Sequence, residues 1–169
     1  YISEAYKELG DEDKALEYNQ QYMDKNPNAA PTDFMKLAEI YVNKAKKDPA
    51  KKIENIDKAI GVYAKLSEKY PTLKTFAKLQ EGNTAFQNEL DDKAIAAYTE
   101  VINELEAKQC DEDELSYLKT SYQYMGFIYT YDKQDFNIAK PYWDKLLKLD
   151  PQNKLANDAY EKAGLKPGE

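Results

Sequence analysis

Cys110 is the only thiol in this chain, so it is the first residue to consider as a nucleophile. A reactive cysteine reacts as its thiolate, which a neighbouring cation or histidine stabilises. Cys110 is instead followed by the four carboxylates of residues 111–114, whose negative charge raises the pKa of a nearby thiol. We therefore predict that Cys110 is not catalytic. The acidic run is better interpreted as the first turn of a helix, where negative charge opposes the helix dipole favourably.

The absence of histidine removes the commonest general base and the usual partner of a serine or cysteine nucleophile. It also excludes metal sites built on several histidine and cysteine ligands. The sequence contains neither an Asp-x-Asp-x-Asp-Gly calcium loop nor a glycine-rich phosphate loop. The 31 acidic residues fall on predicted exposed faces of helices. We predict no catalytic activity, no cofactor and no metal.

All 24 basic residues are lysine, and the formal net charge is −7. A nucleic-acid partner is disfavoured, because phosphate binding requires a basic surface. Lysines cluster in residues 44–52, which predicts a solvated helix end or loop; the alternative is a basic protrusion that contacts an acidic partner. No apolar run reaches the roughly 18 residues of a membrane span, so none is predicted.

Apolar residues recur at helical spacing along most of the chain, and no stretch alternates with a period of two. The sequence therefore predicts an all-α fold without strands. Gly10, Asp11, Asp111 and several prolines mark the helix ends. The predicted helices are the end of one in residues 1–8, then 12–25, one containing Phe34–Tyr41, one containing Ile53–Leu66, 73–88, one starting at Asp91, one from Asp111 to Tyr129, 135–149 and about 153–163.

A small residue, an aromatic residue and a proline recur in a fixed order. Alanines at 15, 59 and 139 each precede a proline by twelve residues, and alanines at 59, 94 and 139 each precede Tyr63, Tyr98 or Trp143 by four. Small residues let two helices approach closely, and an aromatic one turn later fills the space against the next pair. This pattern is typical of stacked helical repeats, which are stabilised by contacts between neighbours.

The chain resembles the tetratricopeptide repeat family on these residues. The small residues of the first helices are Ser3, Ala38, Gly82 and Gly126. The resemblance implies a right-handed superhelical stack of antiparallel helix hairpins, an α-solenoid of about nine helices. We expect one such domain over residues 1–169, with repeats at about 1–29, 30–73, 74–108 and 111–152 and a capping helix at 153–164.

Two repeats are about ten residues longer than the family pattern. The extra residues fall near 43–52 and between Val101 and Tyr122, where we expect longer helices or loops. Tyr1 falls inside a repeat, so we also expect the chain to be part of a longer protein. Lysine-only basic usage is similar to that of tetratricopeptide proteins from AT-rich bacteria, many of them exported, which favours the cell envelope over the cytoplasm.

A second set of aromatics lies off the packing positions, on another stripe of the helix after Asp111. In the family, such first-helix positions line a concave groove that binds extended peptides. The candidate groove residues are Leu79, Asn83, Phe86, Gln87, Tyr117, Tyr124, Phe127 and Tyr131. The alternative is that the capping helix or a preceding domain covers these side chains. A carboxylate-clamp groove is disfavoured, because arginine is absent and Leu79 and Tyr124 replace the charged residues.

The leading hypothesis is a non-catalytic module that binds a peptide or a partner domain in this groove. The alternative is a structural spacer or homo-oligomerisation module without a separate ligand. Stacking of a sugar on the tyrosines stays open as a third class, although the sequence contains no specific motif for it.

Overall fold

The computed structural model of the protein describes residues 5, 6 and 8–168, with the backbone alone for Glu12 and Asp24. The chain divides into two compact units, Tyr1–Thr84 and Ala85–Glu169. The boundary falls inside a helix, and the prediction of a single four-repeat domain stays a prediction. The predicted small residue Ser3 lies outside the described residues.

The described residues form eight α-helices and no strand, which confirms the all-α helical-repeat prediction. The ninth predicted helix falls on residues 1–8, most of which lie outside the described part. The helices are α1 (Glu12–Lys25), α2 (Pro31–Lys47), α3 (Lys52–Lys69), α4 (Lys74–Gln87), α5 (Asp91–Glu106), α6 (Glu112–Phe127), α7 (Phe136–Leu149) and α8 (Lys154–Lys162). Short 3-10 turns, Pro49–Lys51 and Pro71–Leu73, precede α3 and α4. None of the described helices combines the length and apolarity needed to cross a bilayer.

Unit 1 is built on α2, which packs against both α1 and α3. Its core contains Phe34 and Leu37 of α2, and Ala59 and Tyr63 of α3 pack in the same cluster. The extra residues expected near 43–52 lengthen α2 and α3 to 17 and 18 residues and form the 3-10 turn between them. Because Ala59 and Tyr63 are both buried in this core, they occupy the packing positions that their four-residue spacing predicts.

Unit 2 is built on α6, which packs against α5, α7 and α8. Trp143 of α7 is fully buried, and its indole lies directly against the Gly126 backbone of α6. A Cβ atom at position 126 would lie 2.5 Å from Cε2 of Trp143, so only glycine fits this approach without a shift. Tyr160 of α8 is also fully buried and donates a hydrogen bond to Asp144 of α7, which fastens the last helix to the unit.

Polar caps fix where the helices of unit 2 begin. Asp111 accepts a hydrogen bond from the Glu114 backbone at 2.9 Å, and the Glu114 side chain accepts one from the Asp111 backbone at 3.2 Å. This reciprocal arrangement satisfies two donors that a helix N-terminus would otherwise leave unpaired. The interpretation of residues 111–114 as a helix start is therefore confirmed. Asp135 and Asn153 cap α7 and α8 with a side-chain oxygen that accepts from the backbone of Ile138 and Ala156, respectively, without the reciprocal bond.

Candidate functional site

The predicted groove residues divide between the two units. Leu79 and Asn83 belong to unit 1, where Leu79 is only 5% exposed and offers almost no surface to a ligand. Asn83 is half-buried. Leu79 differs from the expectation for a groove residue because it belongs to the buried side of α4. The remaining candidates belong to unit 2.

Four of the predicted aromatics form a continuous row of ring contacts. Phe86 lies 4.5 Å from Tyr124 and 5.6 Å from Phe127 between ring centroids, and Phe127 lies 4.8 Å from Tyr131. All four side chains are half-buried, so each keeps one part in the protein and another at the surface. We call Phe86, Tyr124, Phe127 and Tyr131 the aromatic row.

Tyr98, which the sequence predicts to be a packing residue, supports the aromatic row from the interior of unit 2. Tyr98 of α5 is fully buried and stacks on Tyr124 with a centroid distance of 5.6 Å. Burial raises the pKa of the Tyr98 hydroxyl, and the neighbouring Tyr124 raises it further. Tyr98 therefore stays neutral and holds the Tyr124 ring in place.

Gln87 and Tyr117 lie between Phe86 and Tyr124 along the chain. Gln87 follows Phe86 and is exposed, whereas Tyr117 precedes Tyr124 on α6 and is half-buried. Burial raises the pKa of the Tyr117 hydroxyl, and Asp113 adds to the effect. Neither residue lines the pocket described below.

A π-helical turn, Ile128–Asp132, sets the position of Tyr131. The Lys133 backbone donates to the Ile128 carbonyl at 2.9 Å, the wider spacing that defines such a turn. The Trp143 indole donates to Thr130 Oγ1 at 2.8 Å, which ties the turn to the core of unit 2. The sequence predicts an α-helix as far as Tyr129, whereas in the structure the α-helix ends at Phe127 and continues as the π-helical turn.

An open pocket of about 660 Å³ lies beside Tyr131. Side chains from the end of α6, the π-helical turn and α8 line it: Phe127, Tyr131, Leu155, Asp158, Glu161 and Lys162. Leu155 is 38% exposed, so the wall contributed by α8 keeps accessible apolar surface. The capping helix thus borders the aromatic row and covers it only in part, because Phe127 and Tyr131 stay half-exposed.

Charges at the pocket come from α8 alone among its lining residues. The Lys162 ammonium lies 4.7 Å from the centre of the Tyr131 ring, within the range of a cation–π contact. Burial raises the pKa of Tyr131, and the Asp158 carboxylate adds to that rise. The pocket therefore combines an apolar floor, an aromatic face that already contacts a cation, and two carboxylates.

The described residues offer little for covalent chemistry. Cys110 donates from Sγ to the Leu105 carbonyl at 3.3 Å, and burial raises the pKa of its thiol, with a further rise from the Glu114 carboxylate. The predicted direction of this shift is confirmed, although burial is the larger cause. Among the described residues, no group of three or more His, Cys, Asp or Glu side chains is arranged to hold a metal ion.

A second open pocket lies in unit 1, where the lysine-rich segment begins. It has a volume of about 510 Å³, and Lys44 at its edge forms an ion pair with Asp13. The pair holds the Asp13 pKa below its usual range. Lys44 is therefore engaged within the unit, and an acidic partner for residues 44–52 stays a hypothesis.

Comparison with known proteins supports the interpretation of the repeat pattern. Residues 1–29 match the family model for the tetratricopeptide repeat. No curated protein and no solved structure matches the chain. The match covers the first of the four predicted repeats, and the later three rest on their alanine and aromatic spacing and on the packing described above.

Proposed function

We propose that this chain, whose residues 1–29 match the tetratricopeptide repeat, is a non-catalytic module that binds a segment of a partner protein along the aromatic row of unit 2. Tetratricopeptide repeats generally mediate protein–protein interactions and are typically scaffolds. The finer assignment to unit 2 rests on the surface of that unit.

The contact between the aromatic row and the pocket is the observation that carries this proposal. Half-buried aromatics lose little conformational freedom on binding, because their rings already contact one another. Rings of this kind are frequent anchors at protein interfaces. A row of rings beside an open pocket suits a partner segment that places successive apolar side chains on the rings and one in the pocket.

Site-specific photo-crosslinking tests the assignment in a lysate of the source cells. A benzophenone amino acid replaces Tyr131 in one variant and Tyr142 in another. Tyr142 is a matched control, because it is a half-buried tyrosine of unit 2 outside the aromatic row. We expect a discrete crosslinked protein from position 131 and none from position 142. Equal labelling at both positions would refute the assignment.

Truncation of the row provides the second measurement. Phe127→Ala together with Tyr131→Ala should reduce recovery of the crosslinked partner, since each anchor contributes about 1–2 kcal/mol and the pair therefore about 30- to 1,000-fold in affinity. Tyr142→Ala should leave recovery unchanged. Light scattering at several concentrations separates the alternative, because a stable dimer that depends on Phe127 would indicate self-association in place of a separate partner.

A further inference from the structure

We propose that the pocket beside Tyr131 selects partner segments that carry a cationic side chain, arginine or lysine, next to an apolar one. This inference rests on the proposed function and specifies the chemistry of the partner. Its basis is the geometry of Tyr131, Leu155 and three charged residues of α8.

The Tyr131 ring is already used as a cation site within the protein. The Lys162 ammonium lies 4.7 Å from the ring centre, although Asp158 stands one helical turn earlier on the same helix. An Asp and a Lys four residues apart commonly form an ion pair on a helix surface. Among the described residues neither forms an ion pair within 4.0 Å, so Lys162 is directed at the ring instead.

The charged side chains that line the pocket favour the binding of a cation. Asp158 and Glu161 contribute two carboxylates against the single ammonium of Lys162, so the pocket carries a net negative charge. Neither carboxylate is in an ion pair within the described part of the chain. A partner arginine can contact the Tyr131 face and a carboxylate at once, because its planar group both stacks and pairs. A partner carboxylate would instead face two like charges.

The apolar part of the pocket requires a second feature in the partner. Leu155 and Phe127 present carbon surface beside the charged rim, and Leu155 is 38% exposed. Burial of apolar surface contributes most of the affinity, whereas exposed charges mainly determine which partner is accepted. We therefore assign the pocket to an apolar side chain with a cationic neighbour and not to a cation alone.

Lys162 then acts as an internal competitor for the cation site. A partner cation has to displace its ammonium from the Tyr131 ring, which lowers the affinity of the wild-type protein. Lys162→Gln removes the competitor and one positive charge, so binding of a cationic segment should become tighter. A substitution that merely damages the fold would weaken binding, and the expected sign therefore distinguishes the two.

Three pools of fluorescent synthetic peptides test the proposal on the full chain. Each pool has a fixed leucine followed by arginine, glutamine or glutamate, in an otherwise mixed, cysteine-free background. We expect the arginine pool to bind about 3- to 10-fold more tightly than the glutamine pool, as one cation–π contact and one exposed ion pair allow. The glutamate pool should bind more weakly than the glutamine pool.

Matched variants separate the contributions. Asp158→Asn with Glu161→Gln should reduce the preference for arginine to the part that the Tyr131 ring provides, while leaving the glutamine pool unaffected. Lys162→Gln should tighten the arginine pool about threefold, in line with one exposed cation–π contact. Lys154→Gln is the control: it removes the same charge from the exposed start of α8, and Lys154 does not line the pocket. This variant should bind the arginine pool as tightly as the wild-type protein does.

The outcomes distinguish this inference from the proposed function. Equal binding of the three pools, with all of them weakened by Phe127→Ala, would retain the aromatic row as a binding surface and overturn the preference for a cation. A Lys162→Gln variant that weakens the arginine pool would also overturn it. If no pool binds, the inference is wrong, and photo-crosslinking at position 131 decides the proposed function independently.

Discussion

The contact between Gly126 and Trp143 allows a quantitative test of the packing in unit 2. Substitution Gly126→Ala places a Cβ atom 2.5 Å from Cε2, 2.6 Å from Cδ2 and 2.8 Å from Cζ2 of the indole. The indole is fully buried and its nitrogen donates to Thr130, so it has little freedom to move away. The backbone or the whole ring has to shift to accept the methyl group.

Two opposing effects determine the size of the change. Alanine is favoured over glycine inside a helix by about 1 kcal/mol. Overpacking a close-packed interior costs about 1–3 kcal/mol, and three contacts with a restrained ring place Gly126 toward the upper end of that range. The net expectation is a free energy of unfolding that falls by about 1–2 kcal/mol.

The assay is urea denaturation followed by tryptophan fluorescence, since Trp143 is the only tryptophan and reports on unit 2. Gly61→Ala on α3 is the control, because a Cβ atom there meets nothing within 4 Å. That variant should be stabilised by about 0.5–1 kcal/mol, measured by far-ultraviolet circular dichroism. Combining Gly126→Ala with Trp143→Phe should remove most of the penalty of Gly126→Ala, because the smaller ring leaves room.

Equal stabilisation by alanine at both glycines would refute this reasoning. It would mean that the indole moves aside at no cost and that the close approach does not require glycine. A penalty for Gly126→Ala that persists with Trp143→Phe would also refute it, since the cause would then lie outside the contact between the two residues.

Three further predictions concern the ends and the surface of unit 2. Asp111→Ala should lower the free energy of unfolding by about 1 kcal/mol in a urea melt, because it removes the cap of α6 that the Glu114 backbone uses; a loss below about 0.3 kcal/mol would contradict the importance of this cap. Cys110 should react with iodoacetamide more slowly in the native than in the urea-unfolded protein at neutral pH, since burial raises its thiol pKa, and equal rates would contradict that shift. Burial raises the pKa of Glu106, but the hydrogen bonds from Lys145 and Tyr122 outweigh burial, so the pKa is lowered. The ionised Glu106 therefore stabilises the folded protein above the usual glutamate pKa, and this stabilisation is lost as the pH falls through the lowered value. Glu106→Gln should therefore reduce the loss of unfolding free energy in acid by less than about 1 kcal/mol, because Glu106 and Lys145 are both more than one-third exposed. An unchanged pH dependence in urea melts would argue against these interactions.

The buried alanine and aromatic positions are predictable from sequence because they depend on spacing within a single helix. Ala59 and Tyr63 are four residues apart, as are Ala94 and Tyr98, and each pair lies on one face of a single helix. All four side chains are buried in the structure. The start of α6 is predictable for the same reason, since Asp111 and its capping partner lie within one turn of each other.

The pocket is not predictable in the same way because it depends on contacts between distant parts of the chain. Lys162 lies on α8, and the ring that it contacts belongs to the π-helical turn after α6. That turn accepts a hydrogen bond from Trp143, which lies on the helix between them. Sequence spacing places Phe127 and Tyr131 on one stripe, but it contains no information about which side chains of α8 approach that stripe.

The π-helical turn has a consequence for how recognition in this protein could diversify. Each residue of an α-helix rotates the following side chains by about 100°, so a helix with one residue fewer in this turn would direct Tyr131 to a different face. The contact of Trp143 with Gly126 lies outside Ile128–Asp132, whereas the Trp143 hydrogen bond to Thr130 falls inside it and would be disturbed. A single-residue deletion could then change which chemical group the protein accepts while the close packing of Trp143 on Gly126 is kept.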